Sequence, residues 1–399
     1  MRYRSIEPEF DKLRCGGSLW AGGIQVCGAA KIVVIVDSCR SPLDINRGRR
    51  SAQQRNCEMS ITKFAAGNLR ITHDKKRNLT RMLEMVEEAA AAGVRLLVLP
   101  EMALQGYADF AFPYGDSNMT RWKQYYVREA EPIPGPSTEI LAQAARRHGM
   151  FIQFGLAERA LHGHVLFNST ALVGPTGLVG IYRKIHAHGE YPYFAPGEDH
   201  STVDTPLGRL ASIICYDLCF PELLRSYALQ GADMFLMSTA WPMSPSGHDR
   251  SNDDSGRAMD LMAQSNAFCN HAWLLISNHC EKRATPLVNY YGGTQIVDPF
   301  GKVVAYLAED EGLAIHEADI KGEVERARTD GAAGVNTSLL HDRRPEHYGL
   351  LTDVSYRHVG KVAPLLPAER ADQRKPEQRA RRAGAKAKNL AKTAGSSSV

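Results

Sequence analysis

LASIICYDLCFPELL, residues 210–224, contains an apolar run, a cysteine and then a proline-initiated amphipathic segment. Leu210 to Ile214 is apolar and partly β-branched, which suits a buried strand, whereas Pro221-Glu-Leu-Leu-Arg225 suits the opening of a helix. Cys215 therefore stands at a strand-to-helix junction. A side chain on such a turn is presented rather than packed flat, and nearby helix-terminal N–H groups are expected to favour its thiolate. A free cysteine is more often only a small core hydrophobe. The question is whether other parts of the chain supply a base and a group to hold developing negative charge.

The chain has 399 residues, 44% hydrophobic and 23% charged, an ordinary composition for a globular protein. It has no stretch near the roughly 18 uninterrupted apolar residues of a spanning helix, so a membrane protein is not expected. Its eight cysteines (15, 27, 39, 57, 215, 219, 269 and 280) lack paired CxxC spacing, and the start MRYRSIEPEFDKLRC is too charged for a secretory signal. Reduced thiols and a cytoplasmic location are the simpler expectation. The formal charge of +4 is misleading, because residues 368–399 carry nine Lys/Arg against three Asp/Glu. The remainder is slightly acidic, which argues against nucleic acid as a partner.

Residues 1–58 mix CGGSLWAGG, NRGRRSAQQR and one apolar run, KIVVIV, without a sustained period. They read as a weakly ordered extension, with Met59 as an alternative translation start. A domain is expected over 59–350, an arm over 351–367 and a disordered basic tail over 368–399. Inside the domain the pattern is regular. Asp74 caps a helix through KKRNLTRMLEMVEEAAAAG that turns Leu79, Met82, Leu83 and Val86 to one face, and VRLLVLP (94–100) follows as a buried strand. A second such unit runs through STEILAQAARRHG and MFIQFGLAE, and NSTALVGPTGLVGIYRKIH reads as a hairpin about Gly-Pro-Thr-Gly. ADMFLMSTAW, a helix across GRAMDLMAQSNAFCN, the strand HAWLLISN and the hairpin GGTQIVDPFGKVVAYL complete it. Strands alternating with helices and interrupted by hairpins predict an α/β fold with mixed sheets covered by helices.

Glu101, Lys184 and Cys215 each end a strand-like run, where α/β proteins place reactive groups. Singly each has a structural explanation. Together, LVLPEMALQGY (97–107), YRKIHAHGEYPYFAPG (182–197) and IICYDLCFPELLR (213–225) resemble the three ordered signature blocks of the nitrilase superfamily of carbon-nitrogen hydrolases, with 83 and 31 residues between the key positions. The similarity extends over about residues 59–350, including NSTALVGPTG, GGTQIVDPFGK and HDRRPEHYGLL. It implies an αββα sandwich of two mixed sheets that pairs into a homodimer or larger homo-oligomer. It further implies a small-molecule amide or nitrile substrate and neither cofactor nor metal. Carried onto this chain, it makes Cys215 the nucleophile, Glu101 the general base and acid, and Lys184 a stabiliser of substrate charge. Glu190 becomes the second glutamate, with Glu198 the next choice, and the Tyr216 N–H a second oxyanion donor.

Other residues are open to two readings. Tyr107 and Trp241 either line the substrate pocket or pack in the core. His186 and His188 invite a metal or Cys-His reading, but no further ligand has convincing spacing. Asp217, Glu222 and Arg225 are expected to pair with each other or with Arg257 and hold the turn; Cys219 is either reactive or a packing residue. Within the superfamily that the chain resembles, amidases and carbamoyl-amide hydrolases often read Cys-Tyr-Asp with a downstream Phe-Pro-Glu, as here, whereas enzymes for true nitriles commonly read Cys-Trp-Glu. Leu218 and Cys219 stand where carboxylate-gripping members carry arginines, so an uncharged or amine-bearing linear amide is expected. The acidic loop with Asp249, Asp253 and Asp254 is either solvated or a cation holder. Alternatives are a nitrilase, a silent binding member of the same fold, and a scaffold using the basic tail. Substitution of Cys215, Glu101 or Lys184 is expected to abolish turnover with the fold intact.

Overall fold

The computed structural model describes residues 31–34, 61–108, 118–161, 165–190, 193–244, 250–280, 289–330 and 337–354. The expected basic tail and most of the N-terminal extension and C-terminal arm lie outside them. The chain divides after His341. In the second unit, Pro345–His347 and Gly349–Leu351 are short 3-10 turns.

In the first unit, β1 (Lys31–Val34) falls on the apolar run KIVVIV, and β2 (Thr62–Asn68) leads into α1 (Lys75–Ala91). Asp74 caps α1 as expected, its carboxylate accepting from Arg77 N at 3.0 Å. After β3 (Leu96–Val98) come α2 (Asn118–Glu129) and α3 (Pro136–His148), the latter closed by left-handed Gly149. Then β4 (Phe151–Arg159) meets the predicted hairpin, β5 (Leu166–Gly174) and β6 (Gly177–Arg183). The second half runs β7 (Val203–Thr205), β8 (Gly208–Ile214), α4 (Pro221–Leu229), β9 (Met234–Ser238), α5 (Asp254–Asn270) and β10 (Trp273–Ser277). It ends with β11 (Thr294–Val297), β12 (Val303–Leu307), β13 (Gly312–Ala318) and α6 (Ile320–Thr329).

These strands form two mixed sheets, ordered β1-β13-β2-β3-β4-β5-β6 and β12-β11-β10-β9-β8-β7. In the first, β2, β3 and β4 are parallel; in the second, β8, β9 and β10 are. One core packs α1 and α3 on the first sheet, through Met82, Met85, Val86, Leu141 and Ala145 against Leu97, Ile152 and Phe154. Another packs α4 and α5 on the second, through Leu224, Tyr227, Met259 and Ala263 against Ile213, Phe235 and Leu274. The third lies between the sheets, where Phe64, Leu96 and Val98 meet Met234, Leu236, Trp273 and Leu275. The result is the expected αββα sandwich. Alternate residues of β9 enter different cores, Met234 and Leu236 the inner one and Phe235 and Met237 the outer one. Both faces are covered, which is why these strands read as unbroken apolar runs. Among the described residues no helix is long and apolar enough to cross a membrane.

The inner layer also contains a seam of polar contacts. Gln153 donates to Leu236 O at 3.0 Å and accepts from the Ser212 hydroxyl at 2.7 Å. Ser238 and Ser277 donate to Leu99 O and Gly67 O, at 2.7 and 2.5 Å. His279 Nε2 donates to Glu101 O at 2.7 Å. Each bond joins one sheet to the other, so the seam sets their relative position and satisfies groups that apolar packing alone would strand.

Gly155 brings β4 against the turn after β3. Its N–H donates to Pro100 O at 3.0 Å, and Leu104 N donates to its carbonyl at 3.2 Å. A Cβ there would stand 2.5 Å from Met102 N, 2.6 Å from Pro100 O and 2.7 Å from Glu101 Cα, all main-chain atoms that cannot swing aside. Gly155→Ala is expected to lower unfolding stability by roughly 1–3 kcal/mol, measured by chemical denaturation, because overpacking forces backbone shifts. His279 gives a pH dependence. Burial pulls its pKa down from 6.5 to about 4, so the native imidazole is neutral where the unfolded chain has begun to protonate. Between these values the unfolded state binds more protons, so stability must fall as pH drops, by roughly 3 kcal/mol across the window. Denaturation curves from pH 7 to 4 should show this slope, and His279→Gln should flatten it.

Candidate active site

Glu101 follows β3 and Cys215 follows β8, and each is associated with a left-handed backbone: Met102 has φ +50° and Cys215 itself φ +48°. For non-glycine residues this conformation is unfavourable, and it persists where surrounding structure over-determines it. Cys215 stands at the strand-to-helix junction read from the sequence, with α4 opening at Pro221 as expected. What the structure adds is a 3-10 turn, Cys215–Cys219, between the strand and the helix. The α4 macrodipole therefore does not reach the cysteine at full strength.

Lys184 directly follows the hairpin strand β6 and is 2% exposed, while Glu101 and Glu190 are 0% and 1% exposed. Its ammonium donates to Glu101 Oε1 at 2.9 Å and to Glu190 Oε1 at 2.6 Å. Tyr107 OH donates to Glu190 Oε1 at 2.6 Å, and its ring centroid lies 6.0 Å from Lys184 Nζ. Cys215, 8% exposed, lies within the electrostatic field of all three charged groups. Three of the four predicted catalytic residues are therefore in direct contact, with the predicted Tyr107 bonded to one of them and Cys215 beside them.

Asn168 completes the cluster and was not singled out from the sequence. Its Nδ2 donates to Glu101 Oε1 at 2.7 Å and to Glu190 Oε1 and Oε2 at 3.2 and 3.3 Å. Ala240 N–H donates to Glu101 Oε2 at 2.8 Å. A carboxylate has about four lone-pair sites. On Glu101 the lysine and amide occupy both sites of Oε1, and the Ala240 N–H occupies one of Oε2. The position left open to receive a proton is on Oε2.

The charges explain the titration behaviour. Burial pulls the Lys184 ammonium down, but Glu101 and Glu190 more than offset it and hold its pKa well above that of a free lysine. Burial raises Glu190, opposed by Lys184. Burial and then Glu101 raise the Cys215 thiol far above its ordinary range, against the opposing pull of Lys184 and the Thr239 hydroxyl. The expected resting thiolate is thus reversed: a third negative charge beside two carboxylates and one lysine is disfavoured.

Asp217 holds the cysteine turn, but through partners other than the expected arginines. Fully buried, it accepts from Ile214 N at 2.9 Å, Tyr182 OH at 2.7 Å, His186 N at 3.1 Å and His186 Nδ1 at 2.8 Å. The His186 ring stacks on Phe220 with centroids 3.7 Å apart. One carboxylate thereby clamps the segment carrying Lys184 and Glu190 to the segment carrying Cys215. Arg257 pairs instead with Asp254 at 3.2 Å.

The remaining candidates separate. Tyr216 packs its ring on His188 and Phe220, and its N–H belongs to the opening of the 3-10 turn, where no preceding carbonyl within the turn receives it. Trp241 is 7% exposed in the same core as Cys215, with its indole N–H bonded to Ser255 O at 3.0 Å, so it combines packing with proximity to the site. Asp253 is neither solvated nor a cation holder: it caps α5, accepting from Gly256 N at 2.6 Å and Ser244 N at 2.7 Å. Asp249 lies outside the described residues. Cys219 is half-buried against the Cys215 core, and burial followed by Asp217 raises its thiol. Glu198 is exposed, unlike the buried Glu190. Among the described residues no three His, Cys, Asp or Glu side chains are grouped so as to hold a metal ion.

The missed residues had weak signals. Asn168 is one of three successive buried polar residues, Asn168-Ser169-Thr170, in β5, so its type alone does not mark it out, and Ala240 contributes only its backbone. His279 follows the strand HAWLLISN as one more buried polar residue.

Comparison with known proteins bears on the fold and the family. Human omega-amidase NIT2 is 29% identical over 275 residues, covering 66% of this chain and 90% of that protein. Nit3 of Saccharomyces cerevisiae, a member of branch 10 of the nitrilase superfamily, superposes with a TM-score of 0.59 at 24% identity, covering 69% of this chain and 96% of the other. An amidase from Nesterenkonia sp. AN1, bearing the acetamide moiety of fluoroacetamide covalently on its active-site cysteine, superposes with a TM-score of 0.55 at 20% identity, covering 73% and 95%. The carbon-nitrogen hydrolase family model matches residues 63–328, a span that includes both buried glutamates, the lysine and the cysteine. The chain belongs to the carbon-nitrogen hydrolase family.

Proposed function

We propose that this protein hydrolyses the carbon-nitrogen bond of a small linear amide through a thioester on Cys215, without a metal or cofactor. The observation that carries this reading is the buried contact of Lys184 with both Glu101 and Glu190, beside a cysteine held on a left-handed turn. The thiol is the resting form, so its proton leaves as sulfur attacks. Glu101 accepts that proton at the open site of Oε2 while the Cys215 Sγ–C bond forms. Lys184 and the Tyr216 N–H stabilise the substrate oxygen as it becomes an oxyanion. Glu101 then returns the proton to the departing nitrogen, the carbon-nitrogen bond breaks, and ammonia or an amine leaves. Water attacks the thioester as Glu101 takes its proton; collapse releases the acid and returns that proton to sulfur. Glu190 holds the lysine and, with Tyr107, borders the space for substrate and water.

The omega-amidase relative and the Cys-Tyr-Asp-…-Phe-Pro-Glu sequence support an amide over a nitrile. Homo-oligomerisation is part of the proposal, supported by Leu229 on α4 and Leu261 on α5, which are 52% and 66% exposed. A cytoplasmic location fits the free thiols of Cys215, Cys219, Cys269 and Cys280.

Ammonia release from paired terminal amides and nitriles tests the reading: amides should turn over and matched nitriles should not. Cys215→Ala should abolish turnover, and Glu101→Gln should lower kcat by about 10²–10⁴-fold, as expected for loss of a general base. Lys184→Met differs from the expectation of an intact fold. Leaving two buried carboxylates without their cation should destabilise the protein by about 3–5 kcal/mol as well as stop turnover. Denaturation of the variant measures this directly. Ultraviolet titration of wild type against Cys215→Ala should show no thiolate signal from Cys215 at neutral or mildly alkaline pH; a signal near pH 7 would refute the resting thiol.

A further inference from the structure

We propose that Asn168 is a positioning residue whose amide holds the carboxylates of Glu101 and Glu190 together in their working geometry. The inference rests on the hydrolase reading above and extends it to a residue outside the acid, lysine and cysteine set. Asn168 lies on β5 opposite Lys184, whose backbone N–H donates to Asn168 O at 2.8 Å. Side chains of cross-strand neighbours share one face of a sheet, so amide and ammonium approach the carboxylates side by side. Lys184 and Asn168 both donate to Glu101 Oε1, at 2.9 and 2.7 Å, and this double contact stops rotation of the carboxylate. Oε2 is thereby kept as the oxygen with the open lone pair. The same amide nitrogen reaches Glu190 at 3.2 and 3.3 Å, bridging two groups that would otherwise repel.

The other end of the amide shows the direction of this arrangement. Asn168 is 1% exposed, and among the described residues its Oδ1 has no hydrogen-bond partner. A buried acceptor left unpaired is destabilising. Reversing the amide would be worse, because Oδ1 would then face two carboxylates and both N–H groups would be stranded. An apolar residue of similar size would remove the orphan oxygen, yet would withdraw both donors from the acids. The position is thus suboptimal for stability alone and suited to fixing charge.

Donors to a carboxylate favour its ionised form, so their removal raises the pH at which it titrates. The titratable groups around the pair are Lys184, Tyr107 and Cys215, with His279 on the Glu101 carbonyl and His188 and Tyr126 further out. In the full-length protein, Asn168→Leu should lower kcat about 10–100-fold with KM changed less than about threefold, and should move the acid limb of kcat/KM upward by about one pH unit. Asn168→Ser, which restores one donor, should recover part of the shift. The limb should move equally in His188→Gln and His279→Gln backgrounds, which assigns it to the carboxylates. Thermal melting accompanies each variant, and if Asn168→Leu fails to fold, Asn168→Ser alone must show the shifted limb. An unmoved limb in a folded, slowed variant would overturn the proposal in favour of a packing role. Glu101→Gln separates the two levels: if it is inactive while Asn168 variants keep the wild-type limb, only the Asn168 role falls. If Glu101→Gln retains full activity, the hydrolase mechanism falls with it.

Discussion

The ammonium of Lys184, buried between two buried carboxylates, is the interaction on which the rest of the site depends. Removing three ions from water is unfavourable by several kcal/mol each, and mutual attraction offsets this only when nearly every lone pair finds a donor. Here the donors come from separate parts of the chain: Asn168 on β5, Tyr107 after β3 and the Ala240 N–H after β9. The sandwich is the means of bringing them together. Loss of the cation would leave like charges facing each other in a region that solvent barely reaches.

The same cluster sets how the sulfur can react. With two carboxylates and one lysine already present, a thiolate would add negative charge to an interior that disfavours it, and the thiol is held high. A reaction from this state moves a proton and forms a bond together, so net charge in the site changes little. Cysteine chemistry at helix N-termini works differently, by stabilising the thiolate in advance. The left-handed turn at Cys215 and the 3-10 geometry that follows are therefore features of presentation more than of activation.

Two devices outside the ion cluster keep its parts in register. The polar seam between the sheets fixes the ends of β3, β9 and β10, from which Glu101, Ala240 and His279 project. Asp217 does the same for the other half, with all four of its acceptor contacts directed to the cysteine turn or to the segment around Lys184. Both devices are buried polar networks that are nearly fully satisfied, the condition under which such networks rigidify rather than weaken an interior.

Much of this was legible in the chain itself. The helix at Lys75–Ala91 carries its own cap in Asp74, and the apolar runs ending at Glu101 and Cys215 mark strands buried on both faces. Local signals of this kind depend on residues near one another in sequence, and they set the fold class and the acid, lysine and cysteine. What they could not supply was register and approach. Counting back from the Gly-Pro-Thr-Gly turn places Asn168 opposite Arg183. A bulge at Leu172 and Val173 leaves Val179 unpaired and moves the partner to Lys184. One extra residue in a strand reverses which side chains share a face. The partners of Asp217, the contact of Gly155 with the Glu101 turn and the neutral thiol likewise arise only when distant segments are packed together. The sequence by itself determined which reactive groups exist and which elements carry them. Only the tertiary structure decided which atoms touch, because hydrogen-bond reach and the energy of a buried charge depend on neighbours brought in from remote parts of the chain.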